Sequence, residues 1–304
     1  MVNYTYKDVI ASLSEKLAAA GITNYYWEAR ELAGFALGFN CRGKFDQTAK
    51  ATGEQINNVA LLLARRLMGE PLQYIIGEWD FYGEPFEVGA GALIPRADTE
   101  TLINAAKKLF EGKAALVVAD LCAGTGCIGI TLERELDCKE VYCVEKYETA
   151  MYFLKRNISA KRSGCRAILA DVKDAETTKL LPQADLIVCN PPYVTDEEMT
   201  KLQKEVTFEP EEALRGGEDG LDFYRAIVRE WKYKLKDDGI MLFEIGAGQE
   251  DEVMEIMIQA GFKDVRTRSD MAGINRCVFG KNHEYEAVSL YEQLDNKNNE
   301  RTAD

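Results

Sequence analysis

The sequence predicts an α/β protein: a doubly wound, mostly parallel sheet of seven strands, preceded by a small helical domain and a linking β-hairpin. Three observations predict it. Beyond Ala114, short apolar runs alternate with helix-length amphipathic stretches, the pattern of a parallel sheet covered on both faces. Residues 1–70 carry helical periodicity and helix-capping pairs, with no strand pattern. Between the two lies an aromatic-rich stretch punctuated by Gly77 and Gly83, which reads as paired strands.

Each element has its own signal. Thr5 and Asp8 form a capping pair ahead of Val9, Ile10, Leu13 and Leu17, and Gly21 stops that helix. A second helix covers about residues 25–37 and ends near Gly38. Thr52 with Gln55 opens a third through Ile56, Val59, Leu62, Leu63 and Leu67, which Gly69 ends. From Pro71 the texture changes. Tyr74, Ile75 and Ile76, then Trp79, Phe81 and Tyr82, then Phe86 and Val88 predict strands with turns at Gly77 and at residues 83–84. Leu93-Ile94-Pro95-Arg96-Ala97-Asp98-Thr99-Glu100 follows, and Asp98 or Thr99 is expected to cap a helix running to about Phe110. Arg96 can serve a functional role there or pair with a structural carboxylate.

Sheet strands are then expected at residues 115–119, 141–144, 167–169, 186–189 and 240–245, with helices such as 148–160 and 223–235 between them. Two late runs, near Val265 and at 277–279, complete the seven as a closing hairpin at one edge. The limits that follow are 1–70 for the helical domain, 71–97 for the hairpin linker and 98–283 for the α/β domain. The polar residues 284–304 are expected to be a disordered tail.

Composition narrows the function. The chain has 304 residues, 46% of them apolar, enough for one large domain and a smaller one. No apolar run approaches the roughly 18–20 residues that span a bilayer. The first residues lack the basic-then-apolar order of a secretory signal. A soluble, cytoplasmic protein with no membrane partner is expected. Eight cysteines at irregular spacing form no C-x-x-C pair, and the single histidine, His283, has no partner at a zinc-binding distance in sequence. No metal is expected, and a hydrolase that needs a histidine base is disfavoured. The net charge of −14 weighs against a nucleic-acid substrate, which calls for a basic face.

Two motifs carry the chemistry. The first strand of the sheet runs into Asp120-Leu121-Cys122-Ala123-Gly124-Thr125-Gly126. Small residues there let the backbone approach a ligand closely, and ligands of doubly wound sheets sit beyond the carboxyl ends of the strands. Gly124-Thr125-Gly126-Cys127-Ile128-Gly129 also fits the dinucleotide string G-x-G-x-x-G. Asp120, just before the turn, is awkward beside a pyrophosphate but suits the cationic amino group of a methionine moiety. Glu145 ends the next strand, about 20 residues on, where a ribose-binding acid is expected. Asp171 follows the third strand, where a carboxylate can accept from an adenine amino group with Val172 against the ring. Each acid alone reads as a cap or a solvated strand end; three acids at the ends of three successive strands, together with the glycine turn, favour a nucleoside.

The fourth strand ends in Asn190-Pro191-Pro192-Tyr193. Two prolines stiffen the backbone and remove two N–H donors. An incoming –NH₂ group can then give one hydrogen to the Asn190 side chain and one to the Pro191 carbonyl, while Tyr193 walls the planar group. A methyl on a sulfonium is already activated, so such a site needs alignment and exclusion of water more than a strong base. Asn190, Pro191 and Tyr193 are the catalytic candidates, and with Pro192 the substrate-binding ones. Asp120, Cys122, Ala123, Gly124, Thr125, Gly126, Glu145, Asp171, Val172 and Asn190 are the cofactor candidates. The bland reading of the motif is a proline turn closing a strand.

Together the glycine turn and Asn190-Pro191-Pro192-Tyr193 resemble class I methyltransferases that act on amide or exocyclic amino nitrogens. Gly69-Glu70-Pro71-Leu72-Gln73-Tyr74-Ile75-Ile76-Gly77 and residues 93–100 narrow the resemblance to the peptide chain release factor glutamine methyltransferases, the HemK/PrmC family. Phe208-Glu209-Pro210, Glu244-Ile245-Gly246 and Asp270-Met271-Ala272-Gly273-Ile274-Asn275-Arg276 extend it to about Gly280. The resemblance implies S-adenosyl-L-methionine as cofactor and S-adenosyl-L-homocysteine as product. It implies transfer to the glutamine of the Gly-Gly-Gln loop of release factors, the proteins of translation termination, with the helical domain contributing to the grip on the protein substrate. Cys122-Ala123, Ala97 and Glu145 depart from the commoner residues of that family, and Ala123 lacks a hydroxyl that could touch the cofactor. A ribosomal-protein glutamine, or a nucleic-acid adenine reached by base flipping, are the alternative substrates.

Overall fold

The computed structural model describes residues 4–282; His283 and the 284–304 tail lie outside the described residues. The chain opens with three helices, α1 (Tyr6–Ala19), α2 (Tyr25–Leu37) and α3 (Gly53–Leu67). Both expected capping boxes form. Thr5 Oγ accepts from the Asp8 N–H while the Asp8 carboxylate accepts from the Thr5 N–H, and Thr52 and Gln55 do the same. Gln55 Nε2 also donates to the Leu37 carbonyl at 3.0 Å, tying the start of α3 to the end of α2. Leu13, Leu17, Leu32, Ala33 and Leu63 bury the apolar stripes of the three helices in one core.

A short helix, α4 (Leu72–Ile76), follows. This corrects the expectation of a strand at residues 74–76. Pro71 precedes its first turn, Gly77 ends it in the left-handed conformation, and Leu72, Tyr74 and Ile75 are all buried without alternation. The hairpin proper is β1 (Glu78–Phe81) and β2 (Glu84–Glu87), in the register Phe81↔Glu84. Its two-residue turn is Tyr82-Gly83, one position earlier than expected. Both residues have positive φ, which matches the right-handed twist of the strands.

Residues 97–99 form a 3₁₀ turn into α5 (Glu100–Leu109), and neither Asp98 nor Thr99 caps it with its side chain. Both side chains are spent elsewhere: Asp98 pairs with Arg276 at 2.9 Å, and Thr99 Oγ accepts from Asn190 Nδ2 at 3.3 Å. The α/β part then runs β3 (Leu116–Leu121), α6 (Cys127–Glu135), β4 (Cys138–Glu145), α7 (Glu148–Lys161), β5 (Arg166–Leu169) and β6 (Ala184–Cys189). It continues through β7 (Val194–Thr195), α8 (Asp196–Met199), β8 (Arg215–Gly217), α9 (Asp222–Trp231), β9 (Leu235–Glu244), α10 (Glu250–Gln259), β10 (Lys263–Ser269) and β11 (Asn275–Lys281).

Seven strands make one sheet in the order β10-β11-β9-β6-β3-β4-β5. The five strands from β9 to β5 are parallel, and β11 and β10 close the edge as the expected antiparallel hairpin. β3 is the central one of the five parallel strands and buries all six residues, as a strand covered on both faces must. Leu102, Ile103, Ile128 and Leu154 pack on one face of the sheet; Tyr224, Ile227, Trp231 and Val253 pack on the other. From β3 the chain moves outward through β4 to β5, then returns to the other side of β3 as β6. The order therefore reverses between β3 and β6, and the crevice beyond their carboxyl ends is where an open α/β sheet binds its ligand.

Candidate functional site

β3 and β6 are paired in the register Leu121↔Cys189. The glycine turn that follows one and the Asn190-Pro191-Pro192-Tyr193 segment that follows the other therefore leave the sheet side by side. A cavity of about 470 Å³ opens beyond these strand ends, a volume suited to a nucleoside-sized ligand. Of the candidates from the sequence, Cys122, Gly124, Glu145, Asp171, Val172, Asn190 and Pro192 line it. The tips of β3, β4, β5 and β6 thus all converge on one space.

Each acid has a defined setting. Glu145 is buried. Its Oε2 accepts from the Gly124 N–H and its Oε1 from the Tyr147 N–H, both at 2.8 Å. Burial pushes its carboxyl upward from the usual value, and these backbone donors oppose the rise. Asp171 is half-buried. Its Oδ2 pairs with Lys146 Nζ at 2.9 Å and its Oδ1 accepts from the Lys173 N–H at 2.9 Å. Burial works against the charge of Asp171, but Lys146 and the Lys173 N–H prevail and hold the carboxyl below its usual value. Val172 is buried, and its carbonyl accepts from Trp231 Nε1 at 2.8 Å, fixing its backbone against α9.

Asp120, Ala123, Thr125, Gly126, Pro191 and Tyr193 stand behind the cavity wall. Asp120 is fully buried, and its Oδ2 accepts from the Gly129 N–H at 2.8 Å. Burial lifts its carboxyl to about 8, which favours the neutral form as a brace for the turn. Gly129 is needed beneath it: a Cβ there would meet Cys143 Sγ at 2.5 Å. The Thr125 carbonyl accepts from Asn157 Nδ2 at 2.9 Å, and the Ala123 N–H donates to the Val144 carbonyl at 3.0 Å. Gly126, with φ +81, lets the chain enter α6. Pro191 is buried beside Pro192. Tyr193 is wedged tightly. A Cβ at Gly220 would meet its carbonyl oxygen at 2.4 Å, and its OH donates to Glu244 Oε1 at 3.4 Å.

Several parts of the site were not foreseen. Gly91, Ala92 and Leu93 line the cavity from the segment after the hairpin, and Pro210, Glu211, Glu212 and Phe223 from the segments after β7 and β8. Local pattern carries no sign of their role, because most reach the cavity through loops and Phe223 from the first turn of α9. Phe208-Glu209-Pro210 was visible only as part of a resemblance. Glu209 proves to be a clamp: one oxygen pairs with Arg96 and the other accepts from the Ile94 N–H at 3.0 Å. The carboxylate partner open to Arg96 in the sequence is therefore Glu209. Thr99 and Glu244, behind Asn190, were also unassigned.

The arrangement can hold a ligand that is part apolar and part hydroxylated. Carboxylates stand at the ends of β4 and β5, Val172 and Ala150 form apolar wall, and a small-residue turn lies between. An asparagine amide faces that same space at the end of β6.

Comparison with known proteins identifies the family and the fold. The family model described as methyltransferase small domain matches residues 97–221, and the one described as PrmC N-terminal domain matches residues 8–77. A release factor glutamine methyltransferase of Geobacter sulfurreducens is 37% identical over 91% of this chain and 97% of its own length. The protein of that name from Thermodesulfovibrio yellowstonii is 35% identical over 82% of this chain and 90% of its own. Among solved structures, a methyltransferase from Pyrococcus furiosus superposes with TM-score 0.50 at 15% identity, over 67% of this chain and 91% of that one. The hMettl16 catalytic domain, solved with an RNA hairpin, gives TM-score 0.54 at 14% identity, over 80% and 88%. At such identities the structural likeness shows the fold alone.

Proposed function

The chain belongs to the release factor glutamine methyltransferases, and from that premise we propose that it uses S-adenosyl-L-methionine to methylate the side-chain amide nitrogen of the glutamine in the Gly-Gly-Gln loop of release factors. It is a methyltransferase of Rossmann-like fold. The observation that carries the finer reading is the shared cavity: the acids after β4 and β5 and the Asn190 amide after β6 face one space.

The residues present fit the cofactor. The two free lone pairs of the Glu145 carboxylate suit the two ribose hydroxyls, since each oxygen is already fixed by one backbone N–H. Asp171 and Val172 suit the adenine edge and face. The backbone of Cys122 and Gly124 suits the methionine end, with Asp120 shaping that turn from behind. When bound, S-adenosyl-L-methionine supplies a methyl group on a sulfonium, already activated for displacement.

The protein's own part is orientation. Asn190 Oδ1 and the Pro191 carbonyl accept the two N–H bonds of the substrate amide and aim the nitrogen lone pair into the cavity. Pro192 walls the planar amide, with Tyr193 packed behind it, and the two exclude water. The N–C bond would form as the S–CH₃ bond of the sulfonium breaks, leaving S-adenosyl-L-homocysteine, and the surplus N–H proton, held by Asn190 Oδ1 or the Pro191 carbonyl, would pass outward to solvent, so no strong base is required. Residues 1–70 dock the release factor, residues 71–97 link, and residues 98–283 carry the transfer. The cytoplasm is the compartment that goes with this reaction. Among the described residues, no helix is long and apolar enough to cross a membrane.

The test is transfer of labelled methyl from S-adenosylmethionine to a purified release factor, to its Gln→Ala loop variant, and to duplex DNA. Label on the wild-type factor alone is expected. Label on the Gln→Ala variant, on DNA, or on neither protein substrate overturns the assignment.

A further inference from the structure

Behind Asn190 lies a buried acid that the reaction above does not touch. Glu244 ends β9 and is 2% exposed. Its Oε1 accepts from the Tyr193 OH at 3.4 Å. Its Oε2 is buried with no hydrogen-bond partner among the described residues. The Tyr224 OH donates to the backbone carbonyl of Glu244 at 2.9 Å, so the strand end is pinned. The Thr99 hydroxyl, also 2% exposed, faces the same carboxylate and favours its charged form. Thr99 Oγ in turn accepts from Asn190 Nδ2 at 3.3 Å.

The direction of these bonds matters. A hydroxyl has one proton to give. Thr99 accepts from Asn190, so its own O–H is left to donate, and the acceptor facing it is Glu244. An ionised carboxylate only accepts. An ionised Glu244 can take the Thr99 proton on its unpartnered Oε2, while Thr99 takes the Asn190 amide N–H, which would leave Asn190 Oδ1 turned the other way, toward the cavity that Asn190 lines. A flipped Asn190 would present NH₂ to the incoming NH₂, donor against donor. The same carboxylate seats the Tyr193 ring.

We propose that Glu244, acting through Thr99 and Tyr193, is a positioning residue that fixes the flip of the Asn190 amide and so makes the site an acceptor for a primary amide. This rests on the reading of Asn190 as the group that holds the substrate amide. The charged and titratable groups around Glu244 are Asp98 and Arg276 from the 3₁₀ turn and β11, Tyr193 from the proline segment, Tyr224 from α9, and the buried thiols Cys127, Cys189 and Cys277. Burial pushes the Glu244 carboxyl up to about 7, against the pull of Thr99 and Arg276. A protonated Glu244 can donate to Thr99, which then donates to Asn190 and favours the flipped amide. Turnover should therefore fall as pH drops through about 7.

The experiment uses the full chain, S-adenosylmethionine and a purified release factor. Thr99→Val deletes the relay hydroxyl at similar size, Thr99→Ser restores it, and Glu244→Gln keeps the shape without the charge. Thr99→Val and Glu244→Gln are expected to lower kcat on the order of 10- to 100-fold, the cost of a misaligned reacting group. Calorimetric affinity for S-adenosylhomocysteine should stay unchanged. Thr99→Ser should recover to within about threefold of wild type, and Glu244→Gln should lose the acid limb of the kcat profile. If Thr99→Val fails to fold, the turnover and pH profile of Glu244→Gln decide between the two outcomes. The positioning role is overturned if Thr99→Val and Glu244→Gln turn over like wild type, if Thr99→Ser falls as far as Thr99→Val, or if the acid limb survives in Glu244→Gln. Absence of transfer by the wild type instead overturns the substrate reading, and the positioning role with it.

Discussion

Glu145 Oε2 accepts the Gly124 N–H at 2.8 Å, so the acid that ends β4 and the glycine turn that follows β3 behave as one unit. Loss of the carboxylate would remove the proposed ribose contact and also release the turn. Glu145→Ala is expected to weaken S-adenosylhomocysteine binding by about 10- to 100-fold, the worth of one or two hydrogen bonds to a charged group. Calorimetry reads the affinity directly. At saturating cofactor the turnover should fall much less, and an unaltered affinity would remove the ribose role.

Asn190→Ala tests the other wall of the same cavity. Asn190 lines the space, and among the described residues its Nδ2 is held by Thr99 alone, at 3.3 Å. The variant should keep the fold while losing methyl transfer by at least about 100-fold, since the role proposed for Asn190 is alignment of the substrate amide. Single-turnover transfer to a release factor measures it. Wild-type turnover would sink the mechanism.

Much of this was legible in the chain, and the physical reason differs by element. The central strands were read to within a few residues because each is a compact apolar run between helical stretches, and Leu116–Leu121 shows why: all six residues are buried. Thr5 and Thr52 revealed helix starts because capping is a local interaction over three positions. Residues 74–76 misread as a strand because three apolar residues have no measurable period. The cap expected at Asp98 or Thr99 failed for a non-local reason: Arg276 and Asn190, far along the chain, claim both side chains. The two- and three-residue strands β7 and β8 are too short to carry a pattern. The cavity wall at Pro210 and Phe223, and the clamp of Glu209 on Arg96 and Ile94, exist only in three dimensions.

Arg66 joins the helical region to the transferase region. On α3 it forms a two-pronged pair with Glu28 of α2, at 2.6 and 3.0 Å, and also reaches Glu205, past the Asn190 segment. Arg66 and Glu28 are buried, whereas the Glu205 side chain is 48% exposed. Arg66→Ala leaves a buried carboxylate alone and should cost about 3–5 kcal/mol. Glu205→Ala breaks only a solvent-screened contact and should cost about 1 kcal/mol or less. Urea unfolding of the two variants gives the contrast. Equal losses would mean that the energy of the cluster lies in the inter-region contact.

Asp120 gives the stability of the fold a pH dependence of unusual sign. Its ordinary value is 3.8, and burial raises it to about 8 in the folded protein, with the Gly129 N–H opposing and Glu145 adding to the rise. Between those values the unfolded chain has released the proton and the folded chain still holds it. Fewer protons are bound in the unfolded state, so stability from this group is full below about pH 4 and is lost as pH rises toward about 8. The slope contributed by one such group reaches about 1.4 kcal/mol per pH unit. Glu244, raised from 4.5 to about 7, adds the same sign over a narrower window. Asp120→Asn keeps an oxygen acceptor for the Gly129 N–H but has no proton to hold. Its melting temperature should therefore vary less between pH 5 and 8 than that of the wild type, with the largest relative gain near pH 8. A variant that tracks the wild-type profile across that range would mean that Asp120 is ionised in the folded protein, and that its role as a neutral brace for the glycine turn is wrong.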